Sequence, residues 1–130
     1  MQYKLVIQGR LAAMNEFIFA SNRNRHAGNK IKQDNEEIVT GYIVQQLRRV
    51  KIVKPVRIDY YWYEPNKKRD LDNVSSFGRK CIQDALVKFG VLHNDGWKQI
   101  VGFSDSFFHD KENPRIEIII TEIQEGECLC

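Results

Sequence analysis

Residues 56–63 read Val-Arg-Ile-Asp-Tyr-Tyr-Trp-Tyr and follow directly after Pro55. Side chains in a β-strand alternate between the two faces of its sheet. The even positions, from Val56 to Trp62, carry only apolar or aromatic side chains, whereas the odd positions include Arg57 and Asp59. This alternation predicts a strand with one face in the core and the other turned outward.

Helical periodicity flanks this strand on both sides. Residues 34–49 repeat apolar side chains at helical spacing, and Asp34 or Asn35 is the expected N-cap. Residues 71–89 show the same periodicity and are followed by Gly90, a residue type that commonly terminates helices. We therefore expect one helix before the strand and one after it.

The remaining chain supplies three more strand patterns and one irregular stretch. Residues 3–8 alternate, and residues 97–108 and 114–123 are typical of two strands joined by a polar turn. Residues 14–20 favour one or two helical turns, and residues 21–32 are typical of a basic loop or a poorly ordered arm.

The predicted order is therefore strand, helix, strand, helix, strand, strand. This order favours a two-layer α+β domain with helices packed on a mixed sheet. We expect residues 1–124 to form this single domain and residues 125–130, which lack periodicity, to form a flexible C-terminal tail.

Composition narrows the protein class. With 130 residues and 42% hydrophobic residues, the chain is long enough for one core. We expect no membrane span, because no apolar run approaches the 18 or so residues that a spanning helix needs, and no signal peptide at the N-terminus. Three cysteines, including Cys128 and Cys130, are too sparse for a disulfide scaffold and suit a reducing cytoplasm.

The net charge of +3 conceals an asymmetry. Residues 1–69 contain 14 Lys/Arg against 6 Asp/Glu, and residues 70–130 contain 6 against 11. A basic half beside an acidic half indicates a polyanionic partner next to an acidic feature such as a metal site. An ordinary solvated surface is the alternative.

The run Lys67-Lys68-Arg69-Asp70-Leu71-Asp72-Asn73 joins these two features. Two carboxylates one residue apart favour a hard cation such as Mg²⁺, and the preceding cations favour phosphate. Alternatively, Asp72 caps the second helix and Asp70 is merely exposed. Asp95, in the later Asn-Asp-Gly turn, is either a third ligand or part of a plain turn.

These residues together resemble the RusA family of Holliday junction resolvases. The resemblance is carried by Arg69-Asp70-Leu71-Asp72-Asn73, then Lys80 with Asp84-Ala85-Leu86, then Gly90-Val91-Leu92 followed by Asn94-Asp95. It implies a homodimeric, Mg²⁺-dependent endonuclease, with Mn²⁺ as the alternative metal, that nicks four-way branched DNA at two symmetry-related points. It also implies that Asp70, Asp72 and Asp95 bind the metal and that Lys80 is the catalytic lysine.

The chain departs from the family pattern at three points. The family lysine follows the second aspartate by four residues, where this chain has Ser76, so Lys80 implies an insertion of about one helical turn. Asn94 replaces an acid, and Ala12 replaces the proline of the family's P-x-x-N element, which makes Asn15 a minor candidate beside Asn73.

We expect the basic residues to contact DNA phosphates without reading sequence. They are Lys67, Lys68, Arg69, Arg23, Arg25, Lys30 and Lys32. The alternative function is a non-catalytic DNA-binding accessory protein that uses the same basic face, and a third is an enzyme that acts on another phosphorylated substrate.

Overall fold

Three helices pack on one face of a four-stranded mixed sheet, which confirms the predicted α+β class. The computed structural model describes residues 1–124. The elements are β1 (Gln2–Gln8), α1 (Met14–Arg23), α2 (Arg25–Leu47), β2 (Val56–Glu64), α3 (Leu71–Phe89), β3 (Ile100–His109) and β4 (Arg115–Glu122). The expected tail at 125–130, with its two cysteines, lies outside the described residues.

The sheet has the strand order β1-β4-β2-β3. β2 pairs antiparallel with β4 and parallel with β3, while β1 pairs antiparallel with β4. The even side chains of β2 are buried as predicted, with Trp62 only 2% exposed. They face the helices, so the odd side chains lie on the opposite, uncovered face of the sheet.

α3 also agrees with the predicted range. It ends at Gly90, whose φ of +92° is the left-handed conformation that glycine adopts without strain. In the middle of the helix, a Cβ added at Gly78 would lie 3.0 Å from the Trp62 ring. A hydrogen at this position therefore lets α3 lie close against β2.

The prediction of a basic loop or arm at 21–32 was wrong, because this stretch is helical on both sides of a single break at Asn24. Asn24 breaks the helix with an extended backbone, and its side chain accepts a hydrogen bond from the N–H of Ala27 at 2.8 Å to start α2. Gly28 then allows α1 and α2 to pack closely, since a Cβ there would lie 2.3 Å from Ser21 Oγ. The element order gains one helix.

The predicted helix start near Asp34 was wrong for the same reason, since α2 already begins at Arg25. Asn35 lies inside the helix, where its side chain accepts from the N–H of Ala12 at 2.8 Å and donates to the carbonyl of Ile31 at 2.7 Å. It therefore fixes the β1–α1 connection to α2. None of the helices in residues 1–124 is long and apolar enough to cross a membrane.

Candidate active site

Asp70 and Asp72 lie at the start of α3. Asp70 occupies the N-cap position but makes no side-chain capping bond, and Asp72 lies in the first turn. Both residues are exposed. Within residues 1–124, neither carboxylate has a hydrogen-bond donor or a cationic partner. The capping role that the sequence left open for Asp72 is therefore not used.

Arg69 connects the segment before α3 to α1. Its guanidinium donates to Glu16 Oε1 at 2.6 Å and to the carbonyl of Leu11 at 3.1 Å. The Arg69 side chain is 22% exposed. This residue, predicted to contact DNA, is thus already engaged within the chain, and Glu16 offsets its charge.

The two asparagine candidates lie against each other. The Asn15 backbone N–H donates to Asn73 Oδ1 at 3.2 Å, which ties the first turn of α1 to the first turn of α3. One turn later, Phe17 stacks on Phe77 with ring centroids 4.5 Å apart. The starts of α1 and α3 are therefore side by side, and Asn73 acts there as a link between helices.

A cleft of about 490 Å³ opens between the β2–α3 connection and the end of β3. Asp70 and Lys67 line it on one side, and His109 lines it on the other. His109 Nε2 lies 3.1 Å from the carbonyl of Pro65, which places the ring against the β2–α3 connection. Sequence reasoning missed His109, because only the parallel pairing of β2 with β3 brings residue 109 next to residue 64.

Lys80 and Asp95 form a separate group further along α3. Lys80 Nζ lies 3.2 Å from Asp84 Oδ1 and 4.0 Å from Asp95 Oδ2, and the side chain is 60% exposed. Lys80 follows Asp72 by a span of about 12 Å along the helix axis. Residues 1–124 contain no group of three His, Cys, Asp or Glu side chains that could hold a metal together. The structure does not gather the three predicted aspartates.

Asp84 belongs to a network of charges between α2 and α3. Lys32 Nζ lies 2.6 Å from Asp84 Oδ2 and 2.5 Å from Glu36 Oε2, and Lys88 Nζ lies 2.6 Å from Glu36 Oε1. Lys32, predicted to contact DNA, instead bridges two helices.

These pairings set the protonation of the network. Burial acts to raise the pKa of Asp84, but hydrogen bonds and charge from Lys32 and Lys80 outweigh it and lower the pKa. The pKa of Glu36 is lowered in the same way against burial by Lys32 and Lys88. Both carboxylates are therefore strongly held in their charged form.

The remaining basic candidates are exposed. Lys67 lines the cleft and Lys68 follows it in the chain, while Arg23 and Arg25 flank the break between α1 and α2. In the described part of the chain none of these four makes an ion pair, whereas Lys30 pairs with Asp34 at 3.1 Å. These four unpaired candidates therefore fall in two places on the surface.

The structure also contains a partly buried polar link for which the sequence gave no signal. Asp105 of β3 accepts from Trp62 Nε1 at 2.9 Å and pairs with Arg79 of α3 at 2.5 Å. The Arg79 guanidinium also lies 4.6 Å from the centroid of the Phe103 ring. This link holds α3 against β2 and β3, and it uses the single carboxylate within β3.

Comparison with known families shows to which family the chain belongs. A family model described as endodeoxyribonuclease RusA matches residues 4–121, nearly the whole chain. The chain belongs to the RusA family. No curated protein matches it.

The RusA match confirms the resemblance drawn from the motifs. The matched residues extend from β1 to β4 and include the cleft, the Asp70–Asp72 pair and the Lys80 group. The family is one of endodeoxyribonucleases, so the chain is assigned to a class of enzymes that cleave within DNA. The roles of the individual RusA site residues stay predictions.

Proposed function

We propose that the chain is a Mg²⁺-dependent endonuclease that resolves four-way DNA junctions by paired phosphodiester hydrolysis. One observation carries the proposal: a RusA-family chain presents two uncompensated carboxylates at the start of α3, Asp70 in the lining of a cleft and Asp72 in the first turn of the helix. Elsewhere on α3 the carboxylate of Asp84 is matched by lysines. Two neighbouring carboxylates without cations favour an external cation.

The chemistry of these donors fits Mg²⁺. This ion prefers oxygen ligands, keeps several waters and is commonly held by one or two carboxylates together with substrate phosphates. Asp70 and Asp72 would supply the carboxylates, and Asp95 is proposed as a further ligand on its match to the family motif alone. Bound Mg²⁺ lowers the pKa of a coordinated water and offsets charge on the reacting phosphate.

The chain's own cations would position the DNA. Lys67 lines the cleft beside Asp70, and Lys68 is exposed next to it, so both can contact phosphates that flank the cut. Lys80 is proposed to stabilise a phosphate oxygen at the reacting centre, with Asp84 holding its ammonium in place at 3.2 Å. Arg23 and Arg25 would extend the phosphate contacts to the α1–α2 face.

Paired cleavage calls for two active sites. A four-way junction has two-fold symmetry, and a dimer with one C₂ axis presents two equivalent sites to it. We therefore propose that the enzyme acts as a homodimer on branched DNA, in processes of DNA recombination and repair.

One observation favours the alternative of a non-catalytic DNA-binding protein. Asp95 lies with Lys80 rather than with Asp70 and Asp72, so a three-carboxylate metal site is not assembled within residues 1–124. An accessory protein would bind junctions through the same free lysines and would leave them intact.

Cleavage of a synthetic four-way junction separates the two functions. Wild type is incubated with Mg²⁺, with Mn²⁺ or with a chelator, and the products are resolved on native and denaturing gels. The nuclease proposal expects nicked duplexes only when metal is present, cut at symmetry-related positions. Tight junction binding with no cleavage in either metal would overturn it in favour of the accessory protein.

A further inference from the structure

The two edge strands of the sheet differ in the hydrogen bonds that their outward-facing backbone groups make. Within residues 1–124, the strand order β1-β4-β2-β3 leaves β1 and β3 each with one unpaired side. The N–H and C=O groups on such a side are a template for pairing with another strand, and natural proteins usually block them.

The β1 edge is blocked by a side chain from α2. Gln46 Oε1 accepts from the Val6 N–H at 2.8 Å, and Gln46 Nε2 donates to the Val6 carbonyl at 2.8 Å. The amide thus makes both hydrogen bonds that a neighbouring strand would make to this residue. A further strand cannot pair along β1 without displacing it.

The β3 edge has no such block. Between residues 101 and 108 the backbone of β3 pairs only with β2, and no other group among residues 1–124 bonds to it. The strand is 10 residues long and contains no Lys, Arg or Pro. Its one carboxylate, Asp105, is used internally by Trp62 and Arg79. A shift of register near Arg57 disturbs only the start of the strand.

Exposed aromatic side chains flank this edge. Phe103 is 49% exposed on the face toward α3, and Phe108 is 45% exposed on the opposite face. Trp97, in the loop just before the strand, is 95% exposed. Aromatic surface concentrated along an unpaired strand marks an interface rather than a solvated surface.

We propose that β3 is the dimer interface, where it pairs antiparallel with β3 of a second copy to form one continuous eight-stranded sheet. This inference rests on the proposed function for its two-fold axis, and it names the surface that forms it. Two identical strands that pair antiparallel about a C₂ axis are self-complementary. If one residue of the first copy faces a given residue of the second, the reverse contact is also made.

The chemistry of the edge selects a second copy over DNA. A phosphate backbone requires cations, and β3 has none, whereas an unpaired row of amides and carbonyls requires another strand. Because the carboxyl end of β3 contributes Phe107, Phe108 and His109 to the cleft, each cleft would lie beside the seam. The two proposed active sites would then be held at a fixed distance by the sheet.

Concentration-dependent hydrogen exchange on the wild-type chain tests the interface without any substitution. We expect backbone amides of residues 102–109 to exchange slowly at high micromolar concentration and faster on dilution to the nanomolar range, in step with dimer dissociation measured by sedimentation. Amides of β1 should not respond. A monomer at every concentration, or a dimer whose β3 amides do not respond, would overturn the inference.

A pair of charge substitutions provides the second test. Ser106→Lys adds a lysine to the middle of the unblocked edge, and Gln8→Lys is the matched control on the blocked edge. We expect Ser106→Lys to raise the dimer dissociation constant by about a hundredfold or more and Gln8→Lys to change it less than about twofold. Circular dichroism and the melting temperature establish that both variants are folded.

The outcomes separate this inference from the proposed function. A Ser106→Lys variant that stays dimeric overturns the β3 interface, whether or not the chain cuts DNA. A β3-paired dimer that cuts no branched DNA in Mg²⁺ overturns the proposed function and leaves the interface standing.

Discussion

Two sets of carboxylates lie on or beside α3, and they differ in their cations. Asp70 and Asp72, at the start of the helix, have no cationic partner within residues 1–124. Asp84 and Glu36, in the middle of the α2–α3 contact, have Lys32, Lys80 and Lys88 within 3.2 Å. The second set is complete within the chain, whereas the first requires a cation from outside.

The cations around a carboxylate separate a structural acid from a candidate functional one. Partly buried charges are tolerated when they are paired, and Glu36, with a side chain only 10% exposed, meets two lysines. Two exposed carboxylates at a helix N-terminus are stabilised by the helix dipole, so they can stay charged without a cationic side chain and remain free to bind a ligand. Breaking each set should therefore affect a different property, stability in one case and catalysis in the other.

The largest effect is expected at the unpaired set. Asp70→Asn or Asp72→Asn should reduce Mg²⁺-dependent junction cleavage by about 10³-fold, because a metal ligand is lost. Junction binding should stay equal or become tighter, since a negative charge near the phosphates is removed. Single-turnover cleavage and gel-shift affinity measure the two properties. Glu37→Gln, an exposed acid on α2, is the control, and near wild-type cleavage in both aspartate variants would contradict the site.

Lys80 pairs with Asp84 of the paired set, and its substitution tests whether it also acts at the proposed active site. If it contacts the reacting phosphate, Lys80→Ala should remove about 3–4 kcal/mol of transition-state stabilisation and slow cleavage accordingly. The loss of junction affinity should be much smaller. Ser76→Ala, at the family position of the lysine, should change little. A Lys80→Ala variant with normal cleavage and a stability change of a few tenths of a kcal/mol would make Lys80 a helix-surface partner of Asp84.

The paired set should control stability. Lys32→Met leaves Asp84 and Glu36 without their shared partner, and we expect the free energy of unfolding to fall by about 1–3 kcal/mol. Urea denaturation measures this loss. Lys30→Met, which removes an exposed pair with Asp34, should cost less than about 0.5 kcal/mol. Equal losses in the two variants would contradict the structural role of Lys32.

The same network predicts a dependence on pH. The pKa values of Asp84 and Glu36 are lowered in the folded chain, so their stabilisation is fully present above their unfolded pKa values, near 4. It is lost as the pH falls through the folded values. Lys32→Met should therefore flatten the acid side of the stability profile, as followed by urea denaturation between neutral and acid pH. An unchanged acid slope would show that other carboxylates dominate.

The smallest effect is expected from the free lysines at the cleft. Lys67→Ala with Lys68→Ala should weaken junction binding and reduce the slope of log affinity against log salt by about two. Cleavage at saturating enzyme should change little, because neither lysine is proposed to contact the reacting atoms. Lys4→Ala, on β1, where the lysine pairs with Glu117 at 3.1 Å, is the control. If the double substitution left the salt slope unchanged, the DNA-binding surface would lie elsewhere on the molecule.

The sequence predicted those elements whose signals are local. β2 alternates strictly, and α3 has an apolar stripe with Gly90 at its end, so both ranges were correct. The α1–α2 corner was missed because a polar, basic run is typical of loops. Its helices depend on the Asn24 cap and on the close contact of Gly28 with Ser21, and neither contact shows as periodicity.

The residues of the candidate site also divide into those placed by local sequence and those placed by tertiary packing. Asp70 and Asp72 are neighbours in sequence, so their proximity follows from the chain itself. The partners of Arg69 and Lys32 are distant in sequence, at Glu16 and Asp84, and only tertiary packing shows that these cations are already engaged. The position of Asp95 depends on the path of the loop after α3, and the motif carries no information about that path.

The Gln46 amide has a consequence for the number of subunits in any assembly built by strand addition. A chain with two open edges can add a neighbour on each side and grow into an unlimited filament. With β1 closed by Gln46, only one edge accepts a strand, so growth stops at two subunits. One glutamine side chain thereby sets an upper limit on polymer length, a limit that its replacement by alanine would remove.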